Sequence, residues 1–290
     1  MGARSVVVRS VMARRHMMVL GLIVAGLLFS AYVFVVMAPM VGTFGYDAWA
    51  YWSVSLPHPY TIDLGGLGSF PYSPPMALLF GVFSAVPWWV YLFGWTCLGI
   101  ATVIWLGGRW AIALFAFPPV ALELYHGNIH LLLAAAVVLG FRHPWAWSFP
   151  LLAKPTMGVA LLWFAVRREW RQLAVALGTA GVAIVASLVL APALWAEWFG
   201  YVSANLDGTP GGPTIGVPLW ARAALGAVIV TWGARTDRPW SVPLAATLCL
   251  PVLWFAGLSV LTAALPLRRA ALPLRRAALP LRRAARAVAG

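Results

Sequence analysis

Met17–Ala38 reads MMVLGLIVAGLLFSAYVFVVMA, an apolar run without a single charge. At about 1.5 Å per residue it is long enough to cross the roughly 30 Å hydrocarbon core of a bilayer. Arg4, Arg9, Arg14 and Arg15 precede it, a pattern that keeps the N-terminus in the cytoplasm. The run is too long for a signal-peptide core and further runs follow, so it reads as an uncleaved first helix. Working outward, Trp88–Leu106, Leu173–Ala196, Val217–Gly233 and Trp240–Ala264 are further long runs. Shorter apolar pieces lie between them: Met76–Val86, Trp110–Leu122, Ile129–Phe141, Trp145–Ala153 and Thr156–Val166. A 13-residue helix is only about 20 Å long, so such pieces cross only with help from their flanks or from a thinner bilayer.

Composition agrees with this reading. The 290 residues are 62% hydrophobic and 9% charged, where a soluble domain carries about 25% charged residues. There are seventeen tryptophans, whose amphipathic rings collect at membrane–water boundaries. A soluble enzyme, a disordered chain and a secreted disulfide scaffold are excluded. The net charge of +13 does not indicate nucleic acid, because the arginines are interspersed with apolar runs too long to stay in water. Cys97 and Cys249 both lie inside apolar runs and read as small buried hydrophobes, with neither disulfide nor metal indicated. The expected fold is an all-α polytopic membrane protein of about 8–10 membrane helices, several of them short or re-entrant.

The loops sort by charge. Residues 39–73 hold Asp47 and Asp63 without Lys or Arg, and residues 195–216 hold Glu197 and Asp207 without a basic residue. Against them stand Arg109, Arg142 with His143, Arg167–Arg168–Arg171, and Arg235 with Arg238. The positive-inside rule places the second set in the cytoplasm and the acid-only loops outside. The turn Glu123–Asn128 then belongs outside, and so does Lys154 if Trp145–Val166 is a hairpin of two short helices. As one span, that stretch would put Lys154 at membrane depth. Parity makes Pro74–Val86 re-entrant or laid along the outer surface, which implies a cavity opening outward. The last run puts the tail arginines outside, against the rule, unless Pro251 splits it in two.

Residues 1–263 therefore read as a transmembrane domain whose first extracytoplasmic loop, 39–73, holds the candidate active site. Residues 264–290 form an arginine-rich tail in which ALPLRRA recurs without interruption. Pro266, Pro273 and Pro280 exclude a coiled coil. The tail is either a polybasic strip on anionic lipid or a low-complexity extension with no catalytic role.

In a chain this poor in charge, the few ionisable groups are the candidates for chemistry. The first loop contains Gly45-Tyr46-Asp47-Ala48-Trp49-Ala50-Tyr51-Trp52, then His58, then Phe70-Pro71-Tyr72-Ser73-Pro74-Pro75-Met76. Aromatic faces around the Asp47 carboxylate suit a sugar ring; an interfacial aromatic belt with one solvated acid is the plainer alternative. His58 is placed to touch substrate hydroxyls. His126 and His130 have the i, i+4 spacing of a metal pair, but with only Glu123 as a third group they read as interfacial histidines.

Asp near the start of an outer loop after a first helix, then Tyr72-Ser73-Pro74-Pro75 opening an apolar run, resembles the membrane glycosyltransferases of the GT-C class. The order is similar to glycosyltransferase family 87, the polyprenol-phosphate-mannose-dependent mannosyltransferases and related arabinofuranosyltransferases of bacteria. The family's Y-P-P corresponds to Tyr72-Ser73-Pro74-Pro75, and its G-Q-x-N to Gly127-Asn128-Ile129-His130, which lacks the glutamine and shifts the asparagine. Its K-P corresponds to Lys154-Pro155, and its aromatic–basic turn to Arg167-Arg168-Glu169-Trp170-Arg171. The resemblance covers about residues 17–235, and the chain is shorter than the family pattern, as a C-terminally truncated member would be.

The resemblance implies a GT-C-like bundle that moves a hexosyl, most often mannosyl, group from a polyprenyl-phosphate donor to a lipid or glycan acceptor hydroxyl. Transfer would invert the anomeric carbon at the extracytoplasmic face of the plasma membrane, with no cofactor beyond the donor. It makes Asp47 the base and Lys154 and Arg222 the cations for the departing phosphate. Tyr46, Trp49, His58, Tyr72 and Asn128 complete the expected substrate-binding set, and no D-x-D motif signals a metal. Partners would be the lipid-linked donor, the acceptor and membrane lipids, not nucleic acid. A transporter or flippase of a lipid-linked substrate would show paired halves with interrupted helices, which are not visible here. A non-catalytic membrane subunit is the third possibility.

Overall fold

The computed structural model describes residues 2–205, 214 and 216–269. Among these there is no strand, only an isolated bridge between Thr214 and Trp254. The arginine repeat beyond residue 269 lies outside the described residues, as does Asp207.

The first long run folds as α1 (Gly2–Tyr32), continued by a π-helical turn, Val33–Met37, and by Ala38–Val41. Much of it faces outward with large apolar side chains exposed, as lipid contact requires. It docks at Gly26, where any Cβ would collide with the Ala116 carbonyl, and at Ser30, whose Oγ donates to Phe115 O at 2.7 Å. Beyond it come α2 (Tyr46–Trp52), α3 (Pro74–Gly81, then a tight turn Val82–Ala85) and α4 (Trp88–Gly107), which short turns extend to Phe115. Next are α5 (Pro118–His126), α6 (His130–Leu139), α7 (Ser148–Ala153) and α8 (Leu162–Val166), the last entered through 3-10 turns at Pro155–Leu161. The remainder is α9 (Trp170–Leu190), α10 (Pro192–Ala204), α11 (Leu219–Arg235), α12 (Ser241–Leu248) and a 3-10 segment, Ala256–Ala263.

Among the described residues three helical stretches, Met12–Val41, Trp88–Phe115 and Trp170–Leu190, are long and apolar enough to cross a membrane. The pair α5 and α6, bent by 113° at their junction, makes a fourth if taken together. The other expected spans are short pieces, and proline sets most of the breaks. Pro74, Pro118 and Pro192 each open a helix, where the missing N–H costs nothing. Pro192 also ends the expected Leu173–Ala196 span at Leu190. The expected Trp240–Ala264 span is split as Pro251 allowed: α12 stops at Leu248 and the chain turns before re-entering at Ala256.

The two ends of the bundle are defined by side chains that tie distant segments together. At one end, Arg269 Nη1 donates to Gly107 O at 3.0 Å, so the start of the tail lies beside Arg109. The Arg167 turn meets the Arg235–Arg238 turn through Arg167 Nη1, which donates to Ala234 O and pairs with Asp237 at 3.1 Å. Phe141 touches Trp163 and Phe164, which makes residues 142–162 an excursion that returns to its start. The basic turns thus share one end, and the tail joins them there because Pro251 adds a reversal. At the opposite end, both limits of the 74–86 segment rest on α2: Tyr51 contacts Tyr72, and Trp52 Nε1 donates to Val86 O at 2.7 Å. That segment does not cross; it covers α2. α10 closes the same end, with Tyr201 Oη 3.0 Å from Ser69 Oγ and Trp198 Nε1 donating to Pro71 O.

Packing follows the same division. Phe70, Tyr72, Met76 and Phe80 bury themselves against Tyr51, while Trp147, Met157, Phe164, Val242 and Leu250 fill the middle. Cys249 is buried as expected; Cys97, expected to be buried, is exposed on α4.

Candidate active site

Asp47 sits in the first turn of α2, and its approach to the α5–α6 junction depends on two glycines. Gly127 ends α5 at φ +68, a left-handed conformation that strains an L side chain, and a Cβ there would lie 2.7 Å from Ala48 Cβ. Gly45, at φ +77, precedes α2, and its N–H donates to Tyr125 O at 2.8 Å. The result brings residues 81 apart in sequence into contact: Asn128 Nδ2 donates to Asp47 Oδ2 at 2.8 Å. Among the described residues Asp47 Oδ1 carries no hydrogen bond.

From Asn128 the chain of contacts continues. Its Oδ1 accepts from Ile129 N at 2.7 Å and from Tyr51 Oη at 3.1 Å. Tyr51 Oη is 3.0 Å from Tyr72 Oη, and the Lys154 Nζ lies over the Tyr72 ring, 5.4 Å from its centroid. Lys154 occupies the break between α7 and the 3-10 turns, which divides Trp145–Val166 into short helical pieces. Asp47, Asn128 and Lys154 are half-buried, whereas Tyr51 and Tyr72 are fully enclosed. Tyr51 is held against Phe80 and Trp95, and Trp95 Nε1 fixes the Gly127 carbonyl at 2.7 Å.

The electrostatics follow from this enclosure. Burial pushes the Asp47 carboxyl above the usual carboxylate range; the Asn128 amide and the charges of His126 and His130 pull the other way, and Glu123 adds to the rise. Burial lowers the Lys154 amine to about 8, opposed by Glu123 and Asp47. The Tyr51 and Tyr72 hydroxyls are pushed up by burial, so both remain proton donors. A carboxylate with raised proton affinity and an amine without an ion-pair partner among the described residues can take up a proton and hold an anion, respectively.

Four of the eight expected residues are thereby joined: Asp47, Asn128, Tyr72 and Lys154. Tyr46 and Trp49 lie on α2 but turn elsewhere. Tyr46 Oη donates to Gly65 O at 2.9 Å, and Trp49 packs against Trp52 and Trp88. His58 is exposed and faces Glu197 at 3.6 Å, tying the first loop to α10. Arg222 is not brought to this group. Its guanidinium is buried and donates to the carbonyls of Val217, Leu248, Leu250 and Pro251. The carbonyls of Leu248, Leu250 and Pro251 end α12 and line its exit turn, and that of Val217 lies just ahead of α11, so Arg222 ties these two segments together.

Two residues of the group were missed from sequence. Tyr51 stands four residues after Asp47, the spacing that puts both on one helix face. Glu123 is the single acid between Trp110 and Phe141. Both its oxygens are occupied within the α5–α6 junction: Oε1 accepts from His130 N at 2.5 Å and Leu131 N at 3.3 Å, and Oε2 lies 3.0 Å from His130 Nδ1. His130 is buried with Glu123, not interfacial as its spacing had suggested. Among the described residues no cluster of His, Cys, Asp or Glu could hold a metal ion.

Fold and hydropathy define an all-α polytopic membrane protein with Asp47, Asn128, Tyr51, Tyr72 and Lys154 gathered at one end. The model of glycosyltransferase family 87 matches residues 70–290, about three-quarters of the chain. The chain belongs to glycosyltransferase family 87, and the protein is a membrane glycosyltransferase. The match includes Tyr72, Asn128, Lys154 and Arg222 and begins after Asp47. No curated protein and no solved structure matches the chain.

Proposed function

We propose that this glycosyltransferase moves a hexosyl, specifically mannosyl, group from a polyprenyl-phosphate donor to a lipid or glycan hydroxyl, with inversion, at the extracytoplasmic face of the plasma membrane. The observation that carries the reading is the single hydrogen-bonded chain running from Asp47 through Asn128, Tyr51 and Tyr72 to the ring beneath Lys154. It supplies, at one end of the bundle, the two groups an inverting transfer needs.

In the reaction, the acceptor oxygen attacks the anomeric carbon as the bond from that carbon to the phosphate oxygen breaks. Asp47 takes the acceptor's proton on its open Oδ1, and Asn128 holds the other oxygen so that the carboxylate keeps its aim. The electron pair of the broken bond leaves with the polyprenyl phosphate, whose negative charge Lys154 meets. Tyr72 sets the position of the Lys154 ammonium through its ring. Tyr46, Trp49 and His58 lie around the outer loop and are assigned to the acceptor side. The side assignment rests on the gathering of Arg109, Arg142, Arg167 and Arg235 at the opposite end, which the positive-inside rule makes cytoplasmic.

The test is Asp47→Asn in proteoliposomes supplied with polyprenyl-phosphate-mannose and an acceptor. Loss of a proton acceptor costs about 10²- to 10⁴-fold in rate. Transfer by Asp47→Asn at the wild-type rate removes Asp47 as the base, and transfer from a nucleotide sugar in preference to the lipid phosphate removes the donor.

A further inference from the structure

Asn128, which holds the Asp47 carboxylate, stands on a junction that another carboxylate organises. α5 ends at His126 and α6 begins at His130, with 113° between their axes. A reversal this sharp leaves the first N–H groups of α6 without helical acceptors. Ile129 N is taken by the Asn128 side chain, and His130 N and Leu131 N by Glu123 Oε1. Glu123 Oε2 fixes the His130 ring through Nδ1, which must then carry the proton. Glu123 and His130 are each about 1% exposed. His130 Nε2 has no hydrogen-bond partner among the described residues and faces Gly257, where a Cβ would stand 3.6 Å from it. The pair is thus clamped between the junction and the 256–263 segment.

This arrangement does more than close a helix end. Asn128 lies between the residues that Glu123 holds and the carboxylate that Asn128 holds. Gly127 N and Asn128 N both donate to Glu123 O, so the residue anchors the turn through its backbone as well as its side chain. We propose that Glu123, with His130 as its partner, is a positioning residue for sugar transfer: it sets the junction that aims the Asn128 amide at Asp47. The proposal rests on Asp47 being the base. Glu123 acts on the reaction by placing Asn128, beside the charge it adds near Asp47 and Lys154.

That dependence makes the proposal separable from a general loss of structure. Glu123→Gln keeps an acceptor for His130 N and Leu131 N and offers the imidazole an amide donor once the ring proton moves to Nε2; Glu123→Ala keeps neither. The expected result is that Glu123→Ala lowers kcat tenfold or more with the donor KM within twofold of wild type, and that Glu123→Gln recovers most of the loss. Asn128→Ala loses a similar factor, and Glu123→Ala combined with Asn128→Ala is no slower than Asn128→Ala alone, because the two act through one contact. Losses that multiply in the double variant overturn the proposal, as does a Glu123→Ala enzyme of wild-type kcat. If Glu123→Ala elutes as aggregate, the comparison of Glu123→Gln with wild type and with its own Asn128→Ala double variant decides by the same criterion. Asp47→Asn runs alongside: an active Asp47→Asn sinks the base assignment and this proposal with it, whereas an inactive one with multiplying losses sinks this proposal alone.

Discussion

Asn128 makes the only hydrogen bond to the Asp47 carboxylate among the described residues, so Asn128→Ala is the sharpest perturbation of the site. Alanine removes the Nδ2 donor at 2.8 Å and deprives Ile129 N and Tyr51 Oη of their acceptor. A hydrogen bond to a charged group contributes about 1.5–3 kcal/mol. Asp47 is half-buried, so water replaces part of the lost bond and the lower half of that range, about 1.5–2 kcal/mol, applies. If the bond is needed to aim the carboxylate in the transition state, kcat/KM falls about ten- to thirtyfold. The amide also favours the ionised carboxyl against burial, so its removal raises the proton affinity of Asp47 and moves the acid limb of the rate profile to higher pH. The assay is transfer of labelled sugar from the polyprenyl phosphate in proteoliposomes across a pH series. A variant with wild-type kcat/KM and an unmoved acid limb refutes the reasoning, because Asn128 would then be a helix cap only.

Lys154 must be protonated to hold phosphate and has its amine lowered to about 8, so transfer should fall as pH rises through that value; Lys154→Arg should move this alkaline limb upward, and Lys154→Met should cost about 10²- to 10³-fold at every pH, all read from the same pH series. Asp47 must be ionised and has its proton affinity raised, so the profile should also fall on the acid side at a pH above the ordinary carboxylate range, and Asp47→Asn should abolish that limb together with the rate. Arg222→Ala leaves the carbonyls of Val217, Leu248, Leu250 and Pro251 without their donor and should destabilise the fold by about 3–5 kcal/mol; melting in detergent reads the loss, and donor binding by the remaining folded protein should be unchanged.

What the sequence disclosed depended on whether the signal was local. The Met17–Ala38 run, Trp88–Leu106 and most of Leu173–Ala196 could be read directly, because crossing a bilayer demands a continuous apolar stretch and nothing distant alters that demand. Sorting the loops by charge placed Asp47, the Asn128 turn and Lys154 at one end, where the structure has them. Asp47 and Lys154 stood out because charge is rare in the chain. The fate of Arg222 was hidden, since nothing near it in sequence shows that α12 stops 26 residues later with carbonyls to satisfy. Glu123 and His130 were hidden for the same reason: an i, i+7 pair across a helix break looks like interface until the break is seen to fold inward. Tyr51 was legible in principle from its spacing to Asp47, but it stood among other aromatics that mask the helix face.

Lys154 is the only lysine in the chain. Every other cationic side chain, the histidines apart, is a guanidinium, inert to acylating and reductive-alkylating reagents under mild conditions. With its amine lowered to about 8, Lys154 carries more free base at neutral pH than an ordinary lysine, and its side chain is half-buried beside Tyr72. The enzyme therefore holds a built-in chemical handle at the point where a lipid phosphate is expected to rest. The rate at which an amine-directed label reacts there, slowed as donor fills the site, turns one side chain into a gauge of occupancy without any engineered residue.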